Sequence, residues 1–121
     1  VIVVFGCGGD RDKKKRPVMG QLGVTLADFA IVTSDNPRSE EPSEIIKEIK
    51  SGIDELDKKE GRDYTIIEDR AQAITEAINI AQPGDMILII GKGHETYQVI
   101  GDQTIHFDDR EVAKRAIDNE Q

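Results

Sequence analysis

Three short segments of this 121-residue sequence combine residue types that suit the binding of a charged small molecule. They are residues 6–16, which read GCGGDRDKKKR, residues 34–38, which read SDNPR, and residues 91–95, which read GKGHE. Arg11 and Arg38 carry planar guanidinium groups, which suit bidentate binding of a carboxylate or a phosphate. An anionic group is therefore one part of the ligand that these segments could hold.

Carboxylates and an amide accompany the two arginines. Asp10, Asp35 and Glu95 could hold an ammonium group, and Asn36 can donate and accept hydrogen bonds at once. The glycines allow a ligand to approach the backbone closely. Because both charge signs occur in the same segments, the residue types favour a zwitterionic ligand, that is, an amino acid. The alternative for residues 35–38, a turn that merely exposes an arginine, stays open on spacing alone.

The apolar pattern alternates between strand and helix and so predicts the elements that position these segments. Strands are predicted at residues 1–5, 29–33, 64–67 and 86–90, the last being the most clearly buried, and a hairpin at 97–107 that turns at Gly101-Asp102. Helices are predicted to begin near Pro17, at Pro42 or Ser43, after Asp69 and after Asp108. Val18, Met19, Leu22 and Leu26 recur at helical spacing in the first of these helices.

This order of elements predicts an α/β fold. We expect a Rossmann-like three-layer domain over residues 1–121, with a mostly parallel sheet, helices on both faces and a C-terminal antiparallel hairpin. Ligands bind such sheets at the carboxyl ends of the strands. The three polar segments follow the strands at 1–5, 29–33 and 86–90, so we expect them to lie together at one edge of the sheet.

Composition excludes several classes of protein. The net charge of −8 argues against general affinity for nucleic acid, and no apolar run approaches the length of a membrane span. One cysteine cannot form an internal disulfide, which favours a reducing, cytoplasmic location. Residues 1–38 nevertheless carry six basic and four acidic residues. We interpret the run of basic residues at 13–16 as a solvated or anion-steering loop rather than a nucleic-acid site.

Several catalytic motifs are absent from the sequence. It contains no G-x-x-x-x-G-K-[ST] phosphate-binding loop, no G-x-G-x-x-G fingerprint and no Cys/His spacing for zinc. We therefore predict no catalytic residue and no metal site in this chain. Cys7 is interpreted as structural rather than reactive, and His94 could be either a packed histidine or a functional one.

Taken together and in order, the three motifs resemble the C-terminal domain of the Mur ligases. The resemblance covers essentially all 121 residues and is strongest to the members that add the third residue of the peptidoglycan stem peptide. It implies an ATP-dependent ligase that joins an amino acid to UDP-MurNAc-L-Ala-D-Glu through an acyl phosphate, with Mg²⁺ neutralising the transferring charge. ATP and Mg²⁺ would be bound mainly by a central domain, while this domain brings the amino acid and closes over the nucleotide.

The resemblance also implies roles for individual residues toward meso-diaminopimelate. Arg38 would bind the second carboxylate, which lysine lacks, with Arg11 and Asn36 on neighbouring polar groups. Asp35, the Gly91 backbone and Glu95 would hold the distal ammonium. No role is carried over to His94, and Lys14 departs from the small residue that relatives often have in that loop.

Other functions remain possible on the sequence alone. They are a stand-alone amino-acid-binding module, a domain of a folylpolyglutamate-synthetase-like ligase, and a nucleotide-binding Rossmann-like domain, the last disfavoured by the absent fingerprints. The chain starts at Val1 inside an apolar run, so we interpret it as a piece of a longer protein. Because it has no phosphate-binding loop, we expect the isolated chain to have no ligase activity.

Overall fold

A computed structural model describes residues 1–10, 12–92 and 95–119 of the chain. Arg11 and His94 lie outside these residues. In chain order the elements are β1 (Ile2–Phe5), α1 (Lys15–Leu26), β2 (Phe29–Val32), α2 (Pro42–Ile53), β3 (Tyr64–Ile66), α3 (Arg70–Ile80), β4 (Ile87–Ile89), β5 (Tyr97–Ile100), β6 (Gln103–His106) and α4 (Asp109–Asn119). The predicted alternation of strands and helices is confirmed.

The first four strands form a parallel sheet in the spatial order β3-β2-β1-β4. Side chains of β1 alternate between its faces: Val3 and Phe5 pack with α1 and α2, whereas Ile2 and Val4 pack with α3 and α4. Strands β5 and β6 pair as an antiparallel hairpin. The three-layer α/β fold with a C-terminal hairpin is therefore confirmed.

Two helices begin where the sequence predicts an acidic cap. The Asp69 carboxylate accepts a hydrogen bond from the Gln72 amide at 3.1 Å, before α3. The Asp108 carboxylate accepts one from the Arg110 amide at 2.9 Å, at the start of α4. These bonds satisfy N–H groups that have no partner inside the helix. Among the described residues, no helix combines the length and the apolarity that crossing a bilayer requires.

Strand β4 differs from the prediction that it is the most clearly buried strand. It lies at the edge of the parallel sheet, and Leu88 is 44% exposed. On the α1 side, Leu88 and Ile90 line an open apolar groove of about 280 Å³. A continuous apolar run indicates a strand, but it does not distinguish the centre of the sheet from its edge.

The apolar stripe of α1 lies beside this groove. Val18, Leu22 and Leu26 are all largely exposed, and Leu26 is exposed by 78%. The helix packs on α2 with its opposite side, where two glycines allow a close approach. A Cβ at Gly20 would lie 2.3 Å from the Ile49 carbonyl oxygen, and one at Gly52 would lie 2.0 Å from that of Pro17. Gly20 of α1 and Gly52 of α2 therefore allow the two helices to pack closely.

Candidate functional site

The loops after β1, β2 and β4 meet at one edge of the sheet, as the topology predicts. The Gly9 amide donates to the Asn36 carbonyl at 2.7 Å, which joins the first loop to the second. The Asn36 side-chain amide donates to the Glu95 carboxylate at 3.0 Å, which joins the second loop to the third. Residues far apart in sequence are thereby collected into one candidate site.

Asn36 is the central contact among these loops. It is 1% exposed, and its side chain both donates to Glu95 and accepts a hydrogen bond from the Val99 amide at 2.6 Å. The second of these bonds reaches β5. Asn36 therefore fixes the Glu95 carboxylate and the hairpin relative to the loop after β2.

Arg38 is half-buried, and its backbone φ is +53°. Its amide donates to the Val99 carbonyl at 2.8 Å and its carbonyl accepts from the Gly101 amide at 2.6 Å, so the hairpin holds this left-handed conformation in place. Nη1 donates to the Gly9 and Asn36 carbonyls at 2.9 and 3.3 Å. Within the described residues, Arg38 has no carboxylate partner. The guanidinium is thus anchored through one nitrogen and retains donors for a ligand.

Asp35 and Gly91 lie against each other at the ends of β2 and β4. Asp35 is 8% exposed, and a Cβ built on Gly91 would lie 2.5 Å from its Oδ2 atom. Gly91 has a φ of +114°, which other residues rarely adopt. Burial raises the pKa of Asp35, while the cations Arg70 and Lys92 lower it. Only glycine therefore fits at position 91 without displacing this carboxylate.

Glu95 lies near Asp35 and provides a second carboxylate. One of its oxygens accepts from Asn36, and the other lies 3.5 Å from the Tyr97 hydroxyl. Two carboxylates have more acceptor positions than these contacts use, and an ammonium group offers three donors. The arrangement can therefore bind an ammonium at this end and a carboxylate at Arg38.

Asp10 has a different environment from the other candidate carboxylates. Its carboxylate accepts from the Ser39 hydroxyl at 2.5 Å, and its amide donates to Glu40 at 2.5 Å. Glu40 in turn pairs with the buried Arg16 at 2.7 Å, which lowers the pKa of Glu40 to about 2. Arg16 also pairs with Glu48. Asp10 and Arg16 therefore tie two loops together, and Arg16 is not a solvated residue of the basic run.

Four buried polar residues support the site and were not singled out individually from the sequence: Arg70, Asp109, Lys92 and Gln98. Arg70 had a detectable signal, because an arginine in the first turn of a helix opposes the helix dipole and needs another reason to be there. Gln98 donates to the Asp35 carbonyl at 2.7 Å. Its importance depends on which face of β5 turns inward, which the short hairpin sequence does not specify.

The environment of Cys7 bears on whether its thiol is reactive. Burial raises the pKa of the Cys7 thiol to about 11, so it stays protonated near neutral pH, which supports a structural role. Within residues 1–10, 12–92 and 95–119, no three ligating side chains of the His, Cys, Asp or Glu type cluster closely enough to hold a metal ion.

Comparison with known proteins identifies the family. Residues 1–93 match the family model described as Mur ligase, glutamate ligase domain. The chain belongs to the Mur ligase family. A curated Mur ligase of Clostridioides difficile (strain 630), named UDP-N-acetylmuramoyl-L-alanyl-D-glutamate–2,6-diaminopimelate ligase, is 56% identical over 117 residues, which are 97% of this chain and 23% of that protein. The Synechocystis protein of the same name is 55% identical over 97% of this chain and 22% of its own length.

A solved Mur ligase structure agrees with these relatives. It is described as UDP-N-acetylmuramoyl-L-alanyl-D-glutamate–2,6-diaminopimelate ligase, and it superposes with a TM-score of 0.89 at 44% sequence identity. The match covers 98% of this chain and 24% of the solved one. The chain thus spans about a quarter of the length of the Mur ligases it matches.

Proposed function

We propose that this chain is the amino-acid-binding domain of an ATP-dependent ligase that adds meso-diaminopimelate to UDP-MurNAc-L-Ala-D-Glu in peptidoglycan synthesis. The observation that carries the proposal is the placement of Arg38, which has no carboxylate partner among the described residues, in the same loop cluster as the carboxylates Asp35 and Glu95. This arrangement matches an amino acid that has a distal carboxylate beside a distal ammonium. The names of the relatives refer to 2,6-diaminopimelate as well.

Selectivity for diaminopimelate over lysine follows from charge pairing. Arg38 would bind the distal carboxylate, while Asp35, Glu95 and the Gly91 carbonyl would bind the distal ammonium. Lysine would leave the Arg38 guanidinium without its anionic partner, and a site that loses such a partner discriminates strongly. Arg11 is proposed to contact the same ligand on the basis of the resemblance alone, since it lies outside the described residues.

The reaction itself is assigned to the longer ligase. Bound ATP and Mg²⁺ would supply the phosphorylation of the D-Glu γ-carboxylate, and this chain would deliver the amine. The sequence contains no phosphate-binding loop, in keeping with a role in substrate delivery. We propose a cytoplasmic location, because a lone thiol suits a reducing compartment, and no nucleic-acid or membrane partner.

Product formation tests the proposed function. With ATP, Mg²⁺ and UDP-MurNAc-L-Ala-D-Glu, the full-length ligase should form the tripeptide with diaminopimelate and prefer it to lysine by roughly 10⁴-fold in kcat/KM. The 121-residue chain alone should form none. Comparable rates with lysine would contradict the proposal. Calorimetric binding of diaminopimelate by the isolated chain, combined with no ligation by the full-length protein, would instead support a non-catalytic binding module.

Alanine substitution of Gly91 tests the ammonium end of the site. Gly91→Ala places a Cβ 2.5 Å from the Asp35 carboxylate and should lower kcat/KM for diaminopimelate about tenfold or more, because one carboxylate of the pair moves. Gly84→Ala is the matched control, since Gly84 has a φ of +93° but nothing within 4 Å of its added Cβ. Both variants carry about 1–3 kcal/mol of backbone strain, but only Gly91→Ala should change kcat/KM. Equal kcat/KM values in the two variants would show that Gly91 is not part of the ligand site.

A further inference from the structure

Lys92 is a buried lysine without a described carboxylate partner. It is 3% exposed, whereas lysine is rarely buried unless it is paired. Within the described residues, its ammonium forms no salt bridge and instead donates to the Tyr97 carbonyl. It also lies 5.6 Å from the centre of the Tyr97 ring and 5.8 Å from that of Phe107, distances suited to cation–π attraction. Burying an ammonium without a carboxylate partner costs free energy, so this lysine calls for an explanation.

The backbone and the side chain of Lys92 both contact the segment around Glu95. The Lys92 carbonyl accepts a hydrogen bond from the Glu95 amide at 3.1 Å. The side chain reaches the first residue of β5 through the Tyr97 carbonyl. Glu95 thus lies between two contacts made by the same lysine, in addition to its bond from Asn36.

The charges around Asp35 give Lys92 an electrostatic role as well. The groups that influence the Asp35 carboxylate or are influenced by it are Arg70 from α3, Asp109 from α4, Lys92 and Glu95 from the loop after β4, and the Cys7 thiol from the loop after β1. The Arg70 guanidinium is already bound to both carboxylate oxygens of Asp109 at 2.8 Å. Of the two cations, Lys92 is the one without a described carboxylate partner. Its charge acts on the carboxylates around it, on Asp109 most strongly and then on Glu95 and Asp35.

We propose that Lys92 is a positioning residue for ammonium recognition: it fixes the Glu95 segment against β5 and provides a buried positive charge near the Asp35 carboxylate. This inference rests on the proposed function. Lys92 is not expected to contact the ligand, because its side chain is enclosed by the Tyr97 carbonyl and two aromatic rings. Its effect should therefore be confined to binding of the amino acid.

Steady-state kinetics of three variants of the full-length ligase test this role. Lys92→Met removes both the charge and the hydrogen bond, Lys92→Gln removes the charge but keeps a donor, and Lys92→Arg keeps both. Lys92→Met should raise KM for diaminopimelate about tenfold, with kcat and the KM values for ATP and UDP-MurNAc-L-Ala-D-Glu nearly unchanged. Lys92→Arg should recover most of the loss. The exposed Lys114→Met serves as the surface control.

The pH profile separates the electrostatic role from a packing role. Removing a cation raises the pKa of the Asp35 carboxyl, so kcat/KM should fall at a higher pH than in the wild type as the solution is acidified. Lys92→Met and Lys92→Gln should both show this shift, and Lys92→Arg should not. If Lys92→Met fails to fold, the comparison between Lys92→Gln and Lys92→Arg still separates the electrostatic role from a packing role.

Two results would overturn the inference. One is an unchanged KM for diaminopimelate and an unchanged pH profile in a folded Lys92→Gln or Lys92→Met enzyme. The other is an equal rise in KM for all three substrates, which a general packing defect would produce. A wild-type enzyme that does not ligate diaminopimelate would instead contradict the proposed function. The two failures are therefore distinguishable.

Discussion

Replacing Arg38 by alanine in the full-length ligase is expected to reduce binding of diaminopimelate by about 2–5 kcal/mol, because the distal carboxylate loses its charged partner in a partly desolvated site. The corresponding loss of affinity is roughly 30- to 4,000-fold. Activity with lysine should change far less, since lysine has no group for Arg38 to bind. The measurement is kcat/KM for both amino acids, and the expected signature is a collapse of their ratio.

The backbone at position 38 requires a second variant. Its φ of +53° is unfavourable for alanine, and Arg38→Ala also removes the hydrogen bond from Nη1 to the Gly9 carbonyl. Part of any loss of binding in Arg38→Ala would therefore reflect a change in the loop. Arg38→Asn also removes the guanidinium but tolerates the left-handed conformation better. Arg62→Ala is the surface control, since Arg62 is 58% exposed and, among the described residues, forms a salt bridge only with its neighbour Asp63. A parallel loss with both amino acids, or normal ligation of diaminopimelate by Arg38→Asn, would refute the specificity role.

Much of the fold is encoded locally and was predictable for that reason. The continuous apolar run of β1 and the capping carboxylates of Asp69 and Asp108 each act over a few residues. The short connections between strands and helices then make the strands parallel. A parallel sheet places the polar loops that follow its strands at one edge. Placing Asp35, Arg38 and Glu95 in one region therefore needed only the order of the strands.

The contacts that orient these residues depend on how the hairpin docks on the loop after β2, which the sequence of the hairpin does not indicate. Gln98 is buried whereas Tyr97 and Ile100 are more than 40% exposed, the reverse of what their polarity indicates. The reason is that β5 docks on the loop after β2 through polar contacts, from Gln98 to the Asp35 carbonyl and from the Val99 amide to Asn36. Such long-range pairing leaves no periodic signal. The same holds for the exposed edge of β4, since the position of a strand within a sheet is a property of the whole topology.

Arg70 links the strand ends beneath the site to the last helix. Its guanidinium donates to both oxygens of Asp109 at 2.8 Å, to the Ser34 carbonyl at 2.9 Å and to the Ile90 carbonyl at 3.2 Å. Ser34 and Ile90 directly precede the site residues Asp35 and Gly91. One buried side chain thus positions the ends of β2 and β4 together with the start of α4.

Removing this arginine should produce the largest loss of stability among the changes considered. Arg70→Met is expected to lower the free energy of unfolding by about 3–5 kcal/mol, because it leaves the buried Asp109 carboxylate without its hydrogen-bonded counter-charge. The side chains of Arg70 and Asp109 are 0% and 7% exposed, so water cannot replace the lost contacts. Urea unfolding of the 121-residue chain measures the effect as a lower midpoint at unchanged slope.

A double-mutant cycle separates the ion pair from simple packing. Because Arg70→Met/Asp109→Leu removes both charges, it should be more stable than Arg70→Met alone, as replacement of a whole buried pair is often nearly neutral. Arg62→Met, which breaks an exposed pair, should change stability by less than about 1 kcal/mol. If the losses of stability in Arg70→Met and in Asp109→Leu alone add up strictly to that of the double variant, Asp109 is not the partner that makes Arg70 necessary. The hydrogen bonds from Arg70 to the Ser34 and Ile90 carbonyls would then account for the loss of stability. Arg70 would in that case connect β2 and β4 independently of α4.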